Sequence, residues 1–186
     1  METFTKLKPF VDNPHYDHQR RRCLETLDLK TLDPPILKIV RGFLNLPYCF
    51  TLQSCFGHFL FNRQQDPMNI EPLPASDSIT TVEYKIAYIA LCIENCNPGK
   101  DFFQDLKKVP MINPEYIQFG CADWFWERQA NSYALQVEPE RNSTEDRIRL
   151  NYQEALEIEK VRNRFFAEIN DLLQYRLGKK ASRQST

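Results

Sequence analysis

Glycine is scarce in this chain, with five in 186 residues. No GxGxxG fingerprint and no phosphate-loop pattern occurs, so the turns that bring backbone against a pyrophosphate are missing. A dinucleotide-binding fold is disfavoured on that ground, and with it the Rossmann-type methyltransferases and kinases. Long apolar runs are missing too: none approaches the ~20 residues of a membrane-crossing helix. Neither sign of charge dominates, since 24 Lys and Arg stand against 25 Asp and Glu for a formal net charge of -1. There is no global basic field to hold a polyanion, and any nucleic-acid contact would rest on a local patch. The residues after Met1 do not follow the charged start, apolar centre and small-residue cleavage site of a leader. A cytoplasmic location without a membrane partner is therefore expected.

Cysteine is present six times, at Cys23, Cys49, Cys55, Cys92, Cys96 and Cys121. In a reducing compartment these read as free thiols rather than as a disulfide frame. Cys92 and Cys96 stand four apart and His15 and His18 three apart, but tight Cys or Cys/His knuckles flanked by turn residues are lacking, so no metal is expected. Cys92, within YIALCIE, reads as a small buried apolar residue.

The pattern predicts a single α/β (α+β) domain over 1–186, with a mixed or antiparallel sheet flanked by N-terminal helices and a long C-terminal helix. Residues 1–15 read as irregular because Pro9 and Pro14 break any helix. Tyr16 to Leu29 reads as a helix with Cys23, Leu24 and Leu27 on one side and Arg20, Arg21 and Arg22 on the other, a solvated face or a phosphate contact. A second helix opens at LDPP, where Asp33 is a capping candidate and Pro34 fits the first turn. It buries Ile36, Ile39, Val40 and Phe43 and ends at Asn45 and Pro47.

Strands are expected near residues 48–61, 84–94, 116–122 and 132–138. The first reads as strand, turn, strand, with Gly57 permitting a tight bend. Residues 62–81, with Pro67, Pro72 and Pro74, read as a long surface connection. A short helix is expected to start at Asp101. DWFWER reads as a strand connection ending in a turn at Asn131, between two strands that pair. Ala155, Ile158, Val161, Phe165, Ile169 and Leu172 mark one long helix from Glu145 to Leu177, with a basic tail, 178–186, fraying after it.

Chemistry concentrates in TLQSCFGHFLF, residues 51–61. Cys55 and His58 are close enough for a thiol nucleophile activated by imidazole, or they form a structural turn. Thr51 and Ser54 read as donors of short hydrogen bonds, and the backbone N–H groups beside Gly57 as an anion-binding nest. Trp124 and Trp126, in DWFWER, either stack on a planar ligand or plug an open edge of the core. Glu138, just past a strand end, is a further ligand-binding candidate. The expected site brings Arg20 or Arg21 and one of the tryptophans against the Ser54–His58 turn.

Residues 20–61 resemble the opening of the wybutosine-synthesis tRNA methyltransferase family. Arg20 matches a basic position before a short helix, Leu32 and Asp33 the opening of the next, Leu44 and Asn45 its end, and Phe50, Thr51, Ser54, Cys55 and Gly57 a Phe-Thr-x-x-Ser-Cys-x-Gly-Arg turn. His58 stands where that family has arginine, and residues 85–140 carry DWFWER and SYALQVEP in place of its Ser-His and Leu-His motifs. The resemblance implies an S-adenosylmethionine-dependent RNA-modifying enzyme, or a diverged relative, with S-adenosylmethionine as cofactor and tRNA or a nucleotide-like ligand as partner. The departures leave two alternatives: a noncatalytic small-ligand or protein-binding module of the same fold, or a thiol enzyme using Cys55 and His58.

Overall fold

The computed structural model describes residues 5–139 and 145–183. Helices α1 (Tyr16–Thr26) and α2 (Leu37–Leu44) come first, then strands β1 (Cys49–Cys55), β2 (His58–Leu60), β3 (Thr81–Lys85) and β4 (Ala87–Ile93). Helix α3 (Asn97–Leu106), strand β5 (Ile117–Gly120), the short helix α4 (Asp123–Arg128), strands β6 (Ser132–Val137) and β7 (Arg147–Asn151), and the long helix α5 (Tyr152–Arg183) complete the order. The fold is α+β. Two antiparallel sheets, β1-β4-β6-β5 and β2-β3-β7, are flanked by the N-terminal helices, and α5 packs on them.

Residues 48–61 are not a hairpin. β1 pairs with β4 in one sheet and β2 with β3 in the other, with Cys55 opposite Tyr88 and His58 opposite Lys85. The two strand pairs are thus one antiparallel ribbon that turns a corner between sheets, at Phe56–Gly57 on one strand and Ile86 on the other. Gly57 makes its side of the corner with φ +90°, a backbone that side chains resist, and a Cβ there would lie 2.8 Å from the Ala87 Cβ. The apolar run at 84–94 divides at the same corner, because Ile86 belongs to neither strand and its N–H donates to the Asp146 carbonyl.

One cluster of buried residues runs from Ile36, Ile39 and Phe43 of the second helical segment through Ile89, Leu91 and Leu135 of the first sheet to Phe165, Ile169 and Leu173 of α5. α1 lies over β1 and closes a smaller cluster of Tyr16, Phe50 and Cys92. All six cysteines are free, and Cys92 is fully buried in β4.

Several boundaries differ from the sequence expectation for identifiable reasons. The first helix stops at Thr26, and a 3-10 turn, Leu29–Thr31, follows. Asp33 does not cap the second helix with its side chain. An N-cap oxygen accepts from the N–H of the second or third helical residue; the second is Pro35, with no N–H, and Ile36 N–H already donates to the Asp33 carbonyl at 3.1 Å. The third helix begins at Asn97, not Asp101, since Pro98 suits a first turn as well as a loop. DWFWER is the helix α4, not an extended connection, although Asn131 does make the expected turn with φ 60°. Residues 147–151 form β7 on β3, so the long helix starts at Tyr152. That helix runs through Gly178 to Arg183, where fraying was expected, and the rest of the basic tail lies outside the described residues.

Candidate functional site

The corner at Phe56–Gly57 gathers buried polar groups from three parts of the chain. Asp33, displaced from its helix by the two prolines, turns its carboxylate to the Phe56 N–H, which donates at 2.7 Å. The same oxygen lies 3.4 Å from His58 Nε2, and His58 Nδ1 lies 3.0 Å from the Asn69 carbonyl in the connection between β2 and β3. Cys55 closes the group: its sulfur, an Asp33 carboxylate oxygen and a His58 ring nitrogen all lie within 4.8 Å of one another. Asp33, Cys55 and His58 are 8%, 6% and 1% exposed.

Without a metal, both ring nitrogens of His58 face oxygens that only accept, so both carry protons and the ring is an imidazolium. The Asp33 bond, then the Cys55 bond, push its pKa up to about 10 against the opposing effect of burial. Burial alone would raise the Asp33 pKa. The bonds from His58 and Phe56 outweigh it and hold the carboxyl below its ordinary value.

Arg162 of α5 braces the corner from the other side. It is 2% exposed, its Nη1 donates to the Gly57 carbonyl at 3.0 Å, and its guanidinium lies over Phe56 at 4.1 Å and Phe59 at 5.0 Å. Glu159, one turn earlier, lies 3.6 Å away and accepts the Leu73 N–H at 2.9 Å, which ties down the long connection. Arg162 and Glu159 were not picked from sequence, and Asp33 was read only as a helix cap and a position of the family resemblance, not as a site residue. A signal was there: counted from Ala155, the steps of four and three that lead to Phe166, Ile169 and Leu173 pass through Glu159 and Arg162.

Only part of the candidate set meets at this corner. Cys55, Gly57 and His58 form it, half-buried Ser54 precedes it on β1, and Thr51 is buried farther back, its carbonyl accepting from the Cys23 thiol. Glu138 lies at the same end of the first sheet, just past Val137, which pairs with Ala87; Gln136 donates to its carboxylate. Arg20 is elsewhere. Its Nη2 donates to the Leu44 and Leu46 carbonyls, so it caps the end of α2 beside the opposite end of β1, about 20 Å away at the usual rise per residue. Arg21 is exposed on α1.

Both tryptophans also lie toward that far end, on α4, which leads through Asn131 to Ile93. Trp126 packs edge-on against Tyr133 and under the Lys8 ammonium, while Trp124 stacks on Phe125 and is 42% exposed. Here α4 holds the N-terminal strap: Lys8 pairs with Asp123 at 2.6 Å, and Asn131 exchanges two bonds with Val11. The tryptophans and Arg20 therefore do not share a cleft with the turn.

The arrangement does not fit a thiol nucleophile. In a working triad the acid holds one ring nitrogen and the nucleophile meets the other. With Nδ1 held by Asn69, Nε2 is the nitrogen left for both Asp33 and Cys55. The anion nest is occupied as well, because the Phe56 N–H already serves Asp33.

What opens beside the corner is a groove of about 370 Å³ between α2 and α5, lined by Pro35, Lys38, Ile39, Phe56, Asn163, Phe166, Ala167 and Asn170. Phe56 and Phe166 stack at 5.2 Å to form its floor, and among the described residues Lys38 is the only charged one in its lining.

No family model matches the chain, and no curated protein does. Among solved structures it is similar to the PH1069 protein of Pyrococcus horikoshii, at 12% identity over 87% of this chain and 95% of that one, with a TM-score of 0.45. It is also similar to a hypothetical protein of Aeropyrum pernix, at 12% identity over 77% and 94%, with a TM-score of 0.34. Neither name states an activity.

Proposed function

We propose that this protein is a binding module that seats a nucleotide-like ligand, free or at an exposed position of an RNA, in the groove between α2 and α5. The groove itself carries the reading. Its volume falls within the range of small-molecule sites, roughly 300 to 1,000 Å³. Ile39, Phe56 and Phe166, each under 10% exposed, give the groove an apolar floor on which part of a base can rest, and the carboxamides of Asn163 and Asn170 can bond its edge. Lys38 supplies a cation for phosphate, which favours an anionic nucleotide over a sulfonium such as S-adenosylmethionine.

The second reading, an S-adenosylmethionine-dependent RNA-modifying enzyme or diverged relative, is supported by the resemblance over residues 20–61. Calorimetry separates the two. AMP should bind, and Lys38→Ala should weaken it about tenfold, or ~1.4 kcal/mol, while S-adenosylmethionine gives no heat at high micromolar concentration. Heat from S-adenosylmethionine would favour the enzyme. No heat from AMP, or AMP binding unaffected by Lys38→Ala, would overturn the groove reading.

A further inference from the structure

We propose that Asp33, Cys55 and His58 form a binding site for one divalent transition-metal ion, zinc by its donor chemistry. A carboxylate oxygen from the lead-in to α2, and a thiol sulfur and an imidazole nitrogen from the Cys55–His58 corner, lie within 4.8 Å of one another, all buried. Among the described residues no other cluster of at least three such donors meets this spacing.

The Asp33–His58 spacing fits a shared ion. His58 Nε2 and Asp33 Oδ2 are 3.4 Å apart, long for a charge-assisted bond, which prefers about 2.7 to 2.9 Å. That separation is close to the spacing of two ligands on one tetrahedral ion with bonds of about 2.0 to 2.3 Å. The surroundings are those of a metal shell too. His58 Nδ1 is aimed at the Asn69 carbonyl, the outer contact that fixes the tautomer of a ligating imidazole, and the Phe56 N–H steadies the ligating carboxylate.

Charge is conserved in the exchange. Before binding, the cluster holds Asp33 as carboxylate, His58 as imidazolium and Cys55 as thiol, net zero. The ion displaces one proton from His58 and one from Cys55, both leaving to solvent, and the bound cluster of carboxylate, neutral imidazole, thiolate and divalent cation is again net zero. No uncompensated charge is buried. The three donors leave one position of a tetrahedral ion for a further ligand, and the ion ties the lead-in to α2 to the corner between β1 and β2.

The test is titration of the chelator-treated full chain with cobalt(II) as a spectroscopic stand-in for zinc, alongside thermal melts with zinc. One cobalt per chain should bind with a thiolate-to-metal absorption band, and zinc should raise the melting temperature reversibly to chelator. Cys55→Ser, nearly isosteric, should abolish the band. His58→Gln should weaken binding roughly tenfold or more, and Cys92→Ser should change neither. An absent band together with an unmoved melting temperature for the wild-type chain overturns the site without reliance on any variant, and so does a band that survives Cys55→Ser.

Discussion

Two neighbouring prolines decide what Asp33 does. Pro34 and Pro35 remove N–H donors at the start of the helical segment, the one N–H left there goes to the Asp33 backbone carbonyl, and the carboxylate bonds across to Phe56 and His58. Asp33 reads from sequence as a cap and the outcome was missed, although DPP contains its own argument against a side-chain cap. The pairing with His58 was not legible, since nothing local joins positions 25 residues apart. It carries a pH dependence in metal-free protein. His58 has its pKa raised from 6.5 to about 10, so its contribution to stability is complete below pH 6.5 and is lost as pH rises through about 10. The Asp33 pKa is lowered from 3.8, so its contribution is present above that value and is lost as pH falls through the lower, folded one. Urea unfolding in the presence of chelator should therefore show stability declining from pH 6.5 to 10, and His58→Gln should flatten that slope. An unchanged slope in the variant would place the titrating group elsewhere.

At the scale of elements, the decisive feature is the corner where a two-stranded ribbon leaves one sheet and enters the other. A glycine between two apolar runs looks the same in sequence whether the chain returns on itself or crosses to a second sheet, so the turn was readable and its topology was not. β7 was hidden for a related reason. RIRLN leaves only Leu150 buried, and the helical periodicity that begins beyond it absorbs the segment. The long helix, the pairing of β5 with β6 and the inward stripe of the second helical segment were legible because each repeats its period over enough residues. Gly57→Ala tests the corner. Left-handed backbone costs a side chain about 1 to 2 kcal/mol, and the overlap with Ala87 adds an overpacking cost of about 1 to 3 kcal/mol. Denaturant unfolding should show a loss of roughly 2 to 5 kcal/mol, and a loss under 0.5 kcal/mol would mean that the corner yields freely.

On the scale of the whole molecule, Cys55 and His58, which looked reactive in sequence, are packed into the joint between the two sheets. The Ser-Cys-x-Gly-His turn is enclosed by Asp33 on one side and by Arg162 with Glu159 on the other, and the groove between α2 and α5 begins where Phe56 covers it. Arg20, Trp124 and Trp126 serve joints at the opposite end of β1. Cys55, buried in this corner, is expected to be unreactive in the folded protein, and native-state thiol alkylation mapped by mass spectrometry checks that. Cys23 and Cys96, both half-buried, should be labelled first, while Cys55 should stay unmodified until denaturant unfolds the chain. Labelling of Cys55 in the folded protein as fast as that of Cys96 would show instead that the corner leaves the thiol open to reagents.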